Sequence, residues 1–137
     1  MEFKSQICTT KEQSERLLAL GLKNESADCF LEYIGLNNYA NHVWYPTVIV
    51  NNFRMPDYSK DIPAWSLHRL IEIIPNEIPM EDYYLILGVS FDCVYYADNE
   101  YVEVFHGFDR NTYSCIIKCV EWLINEGYFN KEYLNEK

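Results

Sequence analysis

Read from the N-terminus, the spacing of apolar and polar positions changes character several times. Thr9 and Thr10 precede Lys11-Glu12-Gln13-Ser14-Glu15-Arg16-Leu17-Leu18-Ala19-Leu20, and Gly21 follows. Thr9 with Glu12, or Thr10 with Gln13, has the spacing of a capping box, in which a threonine oxygen takes a free amide and the Glu or Gln side chain reaches back to the cap. Gly21 suits the left-handed residue past a helix end. The pattern predicts a short surface helix that buries mainly Leu17, Leu18 and Leu20. Over 22–60 the pattern weakens. Asn24 to Asp28 is turn-like, and Cys29-Phe30-Leu31-Glu32-Tyr33-Ile34 fits helix or strand equally, because periodicity does not arbitrate over so few residues. Asn37-Asn38 and Asn41 read as loop. Thr47-Val48-Ile49-Val50 is β-branched and reads as a short strand after Pro46, and 51–60 reads as a connection.

A second helix is predicted from Asp61-Ile62-Pro63, since proline is tolerated in a first turn where its missing N–H has no partner. Ala64, Leu67, Leu70, Ile71 and Ile74 then fall on one face at helical spacing, and Pro75 ends the run. Pro79 makes 75–82 a connector. Residues 83–105 read as strands: Tyr83 to Leu87, then Phe91 to Ala97 and Glu100 to Phe105 as a hairpin closed by Asp98-Asn99. That register pairs Ala97 with Glu100 and Tyr95 with Val102, and sets Cys93, Tyr95, Val102 and Val104 on one face. Gly88 marks the first strand's end or a bulge. The last helix has Asp109 as its expected N-cap and Gly127 just past its end. Tyr113, Ile116, Ile117, Val120, Leu123 and Ile124 form its stripe, which Cys115, Cys119 and Trp122 widen beyond half the circumference. A helix so broadly apolar packs on the sheet and also touches another helix or a second subunit.

The order of elements predicts one α+β domain over 1–137: a three-stranded antiparallel meander with about three helices packed mainly on one face. The 137 residues and 49% hydrophobic content fit one core that needs no disulfide or metal to fold. Charge changes the picture more. Eleven Lys and Arg against 21 Asp and Glu give a formal charge of -10, which keeps chains apart and disfavours binding nucleic acid through phosphates. The five cysteines are unevenly spaced and do not read as a disulfide framework. No signal peptide and no membrane-spanning run is evident, so reduced thiols and a cytoplasmic location are expected.

Candidate chemistry is sparse. His42, His68 and His106 are far apart, and no CxxC, HxxxH or HExxH spacing occurs. Cys115 and Cys119 fit half of a metal pair, but read more simply as small buried residues on a wide apolar face. No GxSxG elbow, GxGxxG or GxxxxGK[ST] loop is present, so no cofactor is implied. Acid pairs such as Glu81-Asp82 sit at strand ends, where solvated charge is ordinary. The anomaly is aromatic: twelve Tyr, seven Phe and three Trp make 16% of the chain. In the expected register Tyr96 lies opposite Tyr101 on the sheet face away from Cys93. Tyrosine buries area at low entropic loss while keeping a polar tip, as interfaces require. Tyr96, Tyr101, Cys115, Cys119 and Trp122 are therefore the candidate interaction surface.

Asp61-Ile62-Pro63-Ala64-Trp65-Ser66-Leu67, with Leu70 and Pro75 beyond it, resembles a segment of small proteins of Bacteroides-type prophages and mobile elements. Glu121 to Phe129 resembles their C-terminus, and Gly21-Leu22-Lys23 with Ser26-Ala27-Asp28 their N-terminal portion. The likeness covers about a third of the chain. It implies a phage or mobile-element origin, and brings neither an activity nor a functional residue. Three functions follow in order: a non-enzymatic accessory or interaction protein working through a protein partner or as a homodimer, an acidic DNA mimic or inhibitor of a nucleic-acid enzyme, and a small enzyme with an unrecognised site.

Overall fold

In the computed structural model, which describes residues 6–35, 42–50, 55–90 and 92–136, the first helix forms where local chemistry predicts it. Helix α1 spans Lys11–Ala19. Thr10 is its N-cap: its side chain accepts from the Gln13 amide at 3.2 Å, and the Gln13 side chain accepts the Thr10 amide at 3.0 Å. Two orphan donors are thereby satisfied reciprocally. Gly21 follows with φ +104, the left-handed conformation that ends the helix. Of the three leucines expected inside, Leu17 is fully buried, and Leu18 and Leu20 are half-buried.

The fold is α+β, with helices α1, α2 and α3 and two antiparallel sheets. Contacts divide the chain into two units, Met1–Arg69 and Leu70–Lys137. In the first, β1 (Cys29–Gly35) is flanked by β2 (His42–Val48) and β3 (Ile62–Ala64), in the order β2-β1-β3. The segment open to either reading is thus a strand, and it is central. The expected strand near 47–50 begins earlier, at His42, and admits Pro46. As an edge strand, β2 tolerates a residue without an N–H. The loop expected at Asn37, Asn38 and Asn41 lies outside the described residues.

The expected start of the second helix is a correction. Ile62, Pro63 and Ala64 pair with Leu31, Phe30 and Cys29, and helix α2 runs only over Leu67–Ile73. The physical start signal is Ser66, whose hydroxyl accepts the Arg69 amide at 3.1 Å, a cap of the usual spacing. Trp65, fully buried, donates its indole N–H to Ser26 Oγ at 3.0 Å. The Ser66 amide donates to Asp28 at 2.8 Å, and Arg69 Nε to the Ser26 carbonyl at 2.8 Å. Ser26 and Asp28, just before β1, are thus tied to Trp65, Ser66 and Arg69 after β3.

The second unit holds a four-stranded meander in chain order: β4 (Glu77–Pro79), β5 (Tyr84–Val89), β6 (Cys93–Ala97) and β7 (Glu103–Phe108). The expected single three-stranded meander is corrected twice, by a second sheet and by β4, which lies in the supposed connector. Helix α3 (Thr112–Glu126) follows and packs on β6 and β7. Its N-cap is Asn111, whose side chain accepts the Ser114 amide at 3.2 Å, rather than Asp109. Asp109 instead accepts the Asn111 amide at 3.1 Å and Lys118 Nζ at 3.2 Å. These bonds hold its carboxyl below the ordinary range, the Asn111 amide contributing most. Gly127 closes the helix at φ +80. The wide arc of α3 is buried in a single copy of the chain, from Tyr113 and Cys115 through Leu123, so its breadth requires no second subunit.

The hairpin register is also corrected. Tyr95 faces His106 and Tyr96 faces Phe105, while Ala97 faces Glu103, leaving Val104 as an extra, bulged residue. The connection is not the two-residue Asp98-Asn99 turn. Asp98 takes the amides of Glu100 and Val102 on its carboxylate, each at 2.9 Å, and the Tyr101 amide on its carbonyl at 3.1 Å. Tyr101 closes the loop in the left-handed region, at φ 63. That is a turn followed by a left-handed bulge residue, a position where glycine is usual.

Candidate interaction face of the meander

Residues paired directly across an antiparallel sheet share a face. Leu85, Leu87, Val94, Tyr96, Phe105 and Gly107 point toward α3. At Gly107 a Cβ would stand 3.3 Å from the Cys115 carbonyl oxygen, so the missing side chain lets the helix backbone come down on the sheet. Trp122 of α3 stacks on Phe105 and Tyr96, with ring centroids 5.0 and 5.7 Å away, and meets Tyr128 at 5.7 Å. Tyr96 is fully buried and donates its hydroxyl to the Pro75 carbonyl at 2.7 Å. Burial holds this phenol protonated well above its ordinary range. Cys119, beside it, is pushed up to about 12 by burial, and burial also raises Cys115. Neither thiol is a nucleophile at neutral pH.

Three residues of the expected interaction surface, Tyr96, Cys115 and Cys119, are thus interior to this unit, and Trp122 is half-buried among aromatic rings. The structure brings Tyr96, Cys119 and Trp122 together, but as packing. Tyr101 stands apart at the hairpin tip and is 90% exposed. The reason for the inversion is which face the helix covers. The alternation of Cys93 and Tyr95 against Tyr96 is as expected, yet α3 lies on the Tyr96 side.

The uncovered face carries Tyr84, Ile86, Gly88, Cys93, Tyr95, Ala97, His106 and Phe108 by the register of the four strands. Tyr84, Ile86 and Phe108 are 57, 53 and 62% exposed. A Cβ built on Gly88 would stand 2.1 Å from Tyr95 Cζ and 2.4 Å from its hydroxyl oxygen, so the phenol end of Tyr95 fills the space over the glycine of the neighbouring strand. This corrects the reading of Gly88 as a strand end: it is interior to β5 and serves as a seat. Beside Tyr95 is His106, with ring centroids 6.4 Å apart, and His106 Nδ1 lies 2.6 Å from Glu103 Oε2. Sequence reasoning missed Ile86, His106 and Phe108. Their signal was the alternation of β5 and β7, hidden by the bulge at Val104.

The rim is acidic. From Glu77 to Phe108 the chain has seven acids (Glu77, Glu81, Asp82, Asp92, Asp98, Glu100 and Glu103) and no Lys or Arg. Glu77 and Glu103 share the open face with Ile86 and Ala97, their partners across the ladder, and the others lie in the connections around it.

The concavities of the molecule give less. One, of about 610 Å³, lies in the first unit and is lined by Glu32, Tyr33, Ile34, Met55, Asp57, Lys60 and Asp61. Its aspartates are engaged in their own loop. Asp57 accepts the hydroxyl of Ser59 at 2.7 Å and its amide at 3.1 Å, which hold its carboxyl low, and Asp61 accepts the Asp57 amide at 2.8 Å. Such carboxylates fold a turn and are not poised as an acid and base pair. Among the described residues no three His, Cys, Asp or Glu side chains are grouped to hold a metal, and no helix is long and apolar enough to cross a membrane. Comparison with protein-family models, curated proteins and solved structures finds no match.

Proposed function

We propose that this chain is a non-enzymatic interaction protein whose docking surface is the uncovered face of the β4–β7 sheet. The observation that carries the reading is the exposure of Tyr84, Ile86 and Phe108 on one sheet face, in a stretch of chain with seven acids and no Lys or Arg; Lys118, which reaches the Phe108 carbonyl from α3, is engaged by Asp109. Exposed apolar area of this kind gains free energy when covered. The acidic rim selects the occupant: a protein surface with an apolar centre and a border of Lys and Arg, which such a field would steer and orient. Tyr95, braced on Gly88, offers a rigid aromatic plane that loses little freedom on binding.

A photo-crosslinking residue placed at 86, at 108 and, as a control, at 121 on α3 tests this in cells of the native host. The expected result is one protein captured from both 86 and 108 and not from 121. The purified pair should then bind at least about tenfold more weakly with Ile86→Glu. Its association should slow with Glu77→Lys plus Glu103→Lys and with added salt. Equal capture from 121, no capture from 86 and 108, or affinity indifferent to Ile86→Glu would overturn the reading.

The same run of acids favours a second reading, in which the partner is a nucleic-acid-binding protein and the chain occupies its basic surface. Duplex DNA would then compete with the chain for that partner.

A further inference from the structure

In the first unit, two cysteines that sequence spacing does not relate share one buried cluster. Cys8 and Cys29 belong to one buried cluster with Leu31 and Ala64, against which Trp44 and Ile62 pack. The backbone places them there from both directions. Cys29 lies opposite Ala64 in the β1–β3 ladder. The Thr9 amide donates to the Trp65 carbonyl at 2.9 Å, and the Trp65 amide donates to Thr9 Oγ1 at 3.0 Å. Thr9 Oγ1 is also 2.7 Å from Ser14 Oγ, and Gln6 Nε2 donates to the Cys8 carbonyl at 2.9 Å. The backbone on each side of Cys8 is thus fixed, with Cys8 and Cys29 in one buried cluster and their thiols close enough to shift one another's ionisation.

The pair also has an entrance. A groove of about 390 Å³ is lined by Cys8 with Thr10, Lys11, Leu31, Trp44 and Pro46 among others. Cys8, 4% exposed, therefore borders the groove, and Cys29, 1% exposed, does not, the order expected of an attacking and a resolving thiol.

We propose that Cys8 and Cys29 form a reversible disulfide, made by small peroxides that enter this groove and undone by thiols. The Cys8 thiolate attacks one oxygen of hydrogen peroxide, and the O–O bond breaks. Cys8 becomes a sulfenic acid, and the second oxygen leaves as hydroxide, which becomes water on taking a proton. The Cys29 sulfur then attacks Cys8, forming the S–S bond. The sulfenic oxygen leaves with the Cys29 proton as a second water. In total two thiols and one peroxide give one disulfide and two waters. The peroxide is reduced and the sulfurs are oxidised. A small thiol reverses the change by exchange at Cys8.

The roles follow from position, since Cys8 lines the groove and Cys29 does not. The neighbouring Cys29 thiol lowers the Cys8 thiol below its ordinary range. Burial and Asp28 oppose that lowering without cancelling it. The Cys8 thiol, burial and Asp28 raise the Cys29 thiol, so closure of the bridge, which needs its thiolate, is the slower of the two steps. The other charged groups at the groove are Lys11 and Glu12 in the first turn of α1. Among the described residues β2 and β3 bring no charged side chain to it.

The test is oxidation of the reduced full chain by hydrogen peroxide at pH 7, followed by alkylation and peptide mapping. The expected product links Cys8 to Cys29 and leaves Cys93, Cys115 and Cys119, the other three of the five cysteines, open to alkylation after unfolding. Dithiothreitol should restore all five. Cys29→Ser should stop at a sulfenic acid on Cys8 that a dione reagent traps, and Cys8→Ala should give neither product. In the wild type, Cys8 should alkylate with a midpoint below the ~8.5 of a free thiol, a readout that a merely packed cysteine would not give. Oxidation at Cys93 with Cys8 and Cys29 untouched would overturn the proposal. So would a Cys8–Cys29 bridge that forms only in denaturant. Both outcomes are read on the wild type, so they hold even where a variant fails to fold.

Discussion

Tyr95 and Tyr96 are chemically identical neighbours with opposite environments. One phenol is sealed under α3 against the Pro75 carbonyl, and the other lies on the open face across Gly88. Strand alternation made that division legible, but not which tyrosine would be covered. That depends on where a helix sixteen residues downstream lands, which no local pattern states. The Gly88 seat has a sharp consequence. Gly88→Ala puts a methyl group into the Tyr95 ring, and overpacking of this kind costs about 1–3 kcal/mol. Combining it with Tyr95→Ala should recover most of that loss, an interaction energy of about 1–2 kcal/mol in a double-mutant cycle followed by urea unfolding. Simple additivity would mean that the ring does not rest on the glycine.

At the level of elements, those written in local chemistry were legible and those written in pairing were not. The Thr10 and Gln13 box and Gly21 delimit α1, and the stripe from Tyr113 to Ile124 with Gly127 marks α3. Strand β3 is three residues long and exists because β1 is beside it. Pro63 suits a first helical turn as well as a short strand, so sequence alone favoured the helix. The turn after β6 misled for a related reason. Asp98-Asn99 is a good two-residue turn, but Asp98 uses its carboxylate to gather a longer loop, and the register moves with it. Tyr101 occupies the left-handed position of that loop, where a Cβ is unfavourable by about 1–2 kcal/mol. Part of that is regained by glycine's greater freedom when unfolded. Tyr101→Gly is therefore expected to stabilise the chain by about 1 kcal/mol in chemical denaturation, and Tyr101→Val to destabilise it by a similar amount.

For the whole molecule, charge is the property that composition gave and the structure located. Much of the formal -10 sits in one stretch: seven acids and no Lys or Arg between Glu77 and Phe108. Like charges so placed repel one another in the folded state and are screened within about 10 Å at 0.1 M salt. Raising sodium chloride from 10 to about 200 mM should raise the melting temperature by roughly 2–5 °C. Glu100→Lys should reproduce part of that rise at low salt and reduce the salt response. A melting temperature that is flat or falls with salt would show that these acids do not act as a field. The candidate face and the thiol pair differ in how far sequence could reveal them. The face follows from alternation once the bulge is known. The pair joins residues twenty-one apart through a third strand, and spacing carries no sign of it.

The bulge at Val104 has one more consequence. Strand β7 is one of the two outer strands of its sheet, and an outer strand offers unpaired amides and carbonyls on which another copy can template. With one residue too many between Glu103 and Phe105, a flat strand laid along β7 loses register part-way, and Glu103 adds a charge against it. The edge is guarded while the face is open. Growth of the sheet past β7, strand by strand, is thereby disfavoured even though the adjoining face is left open.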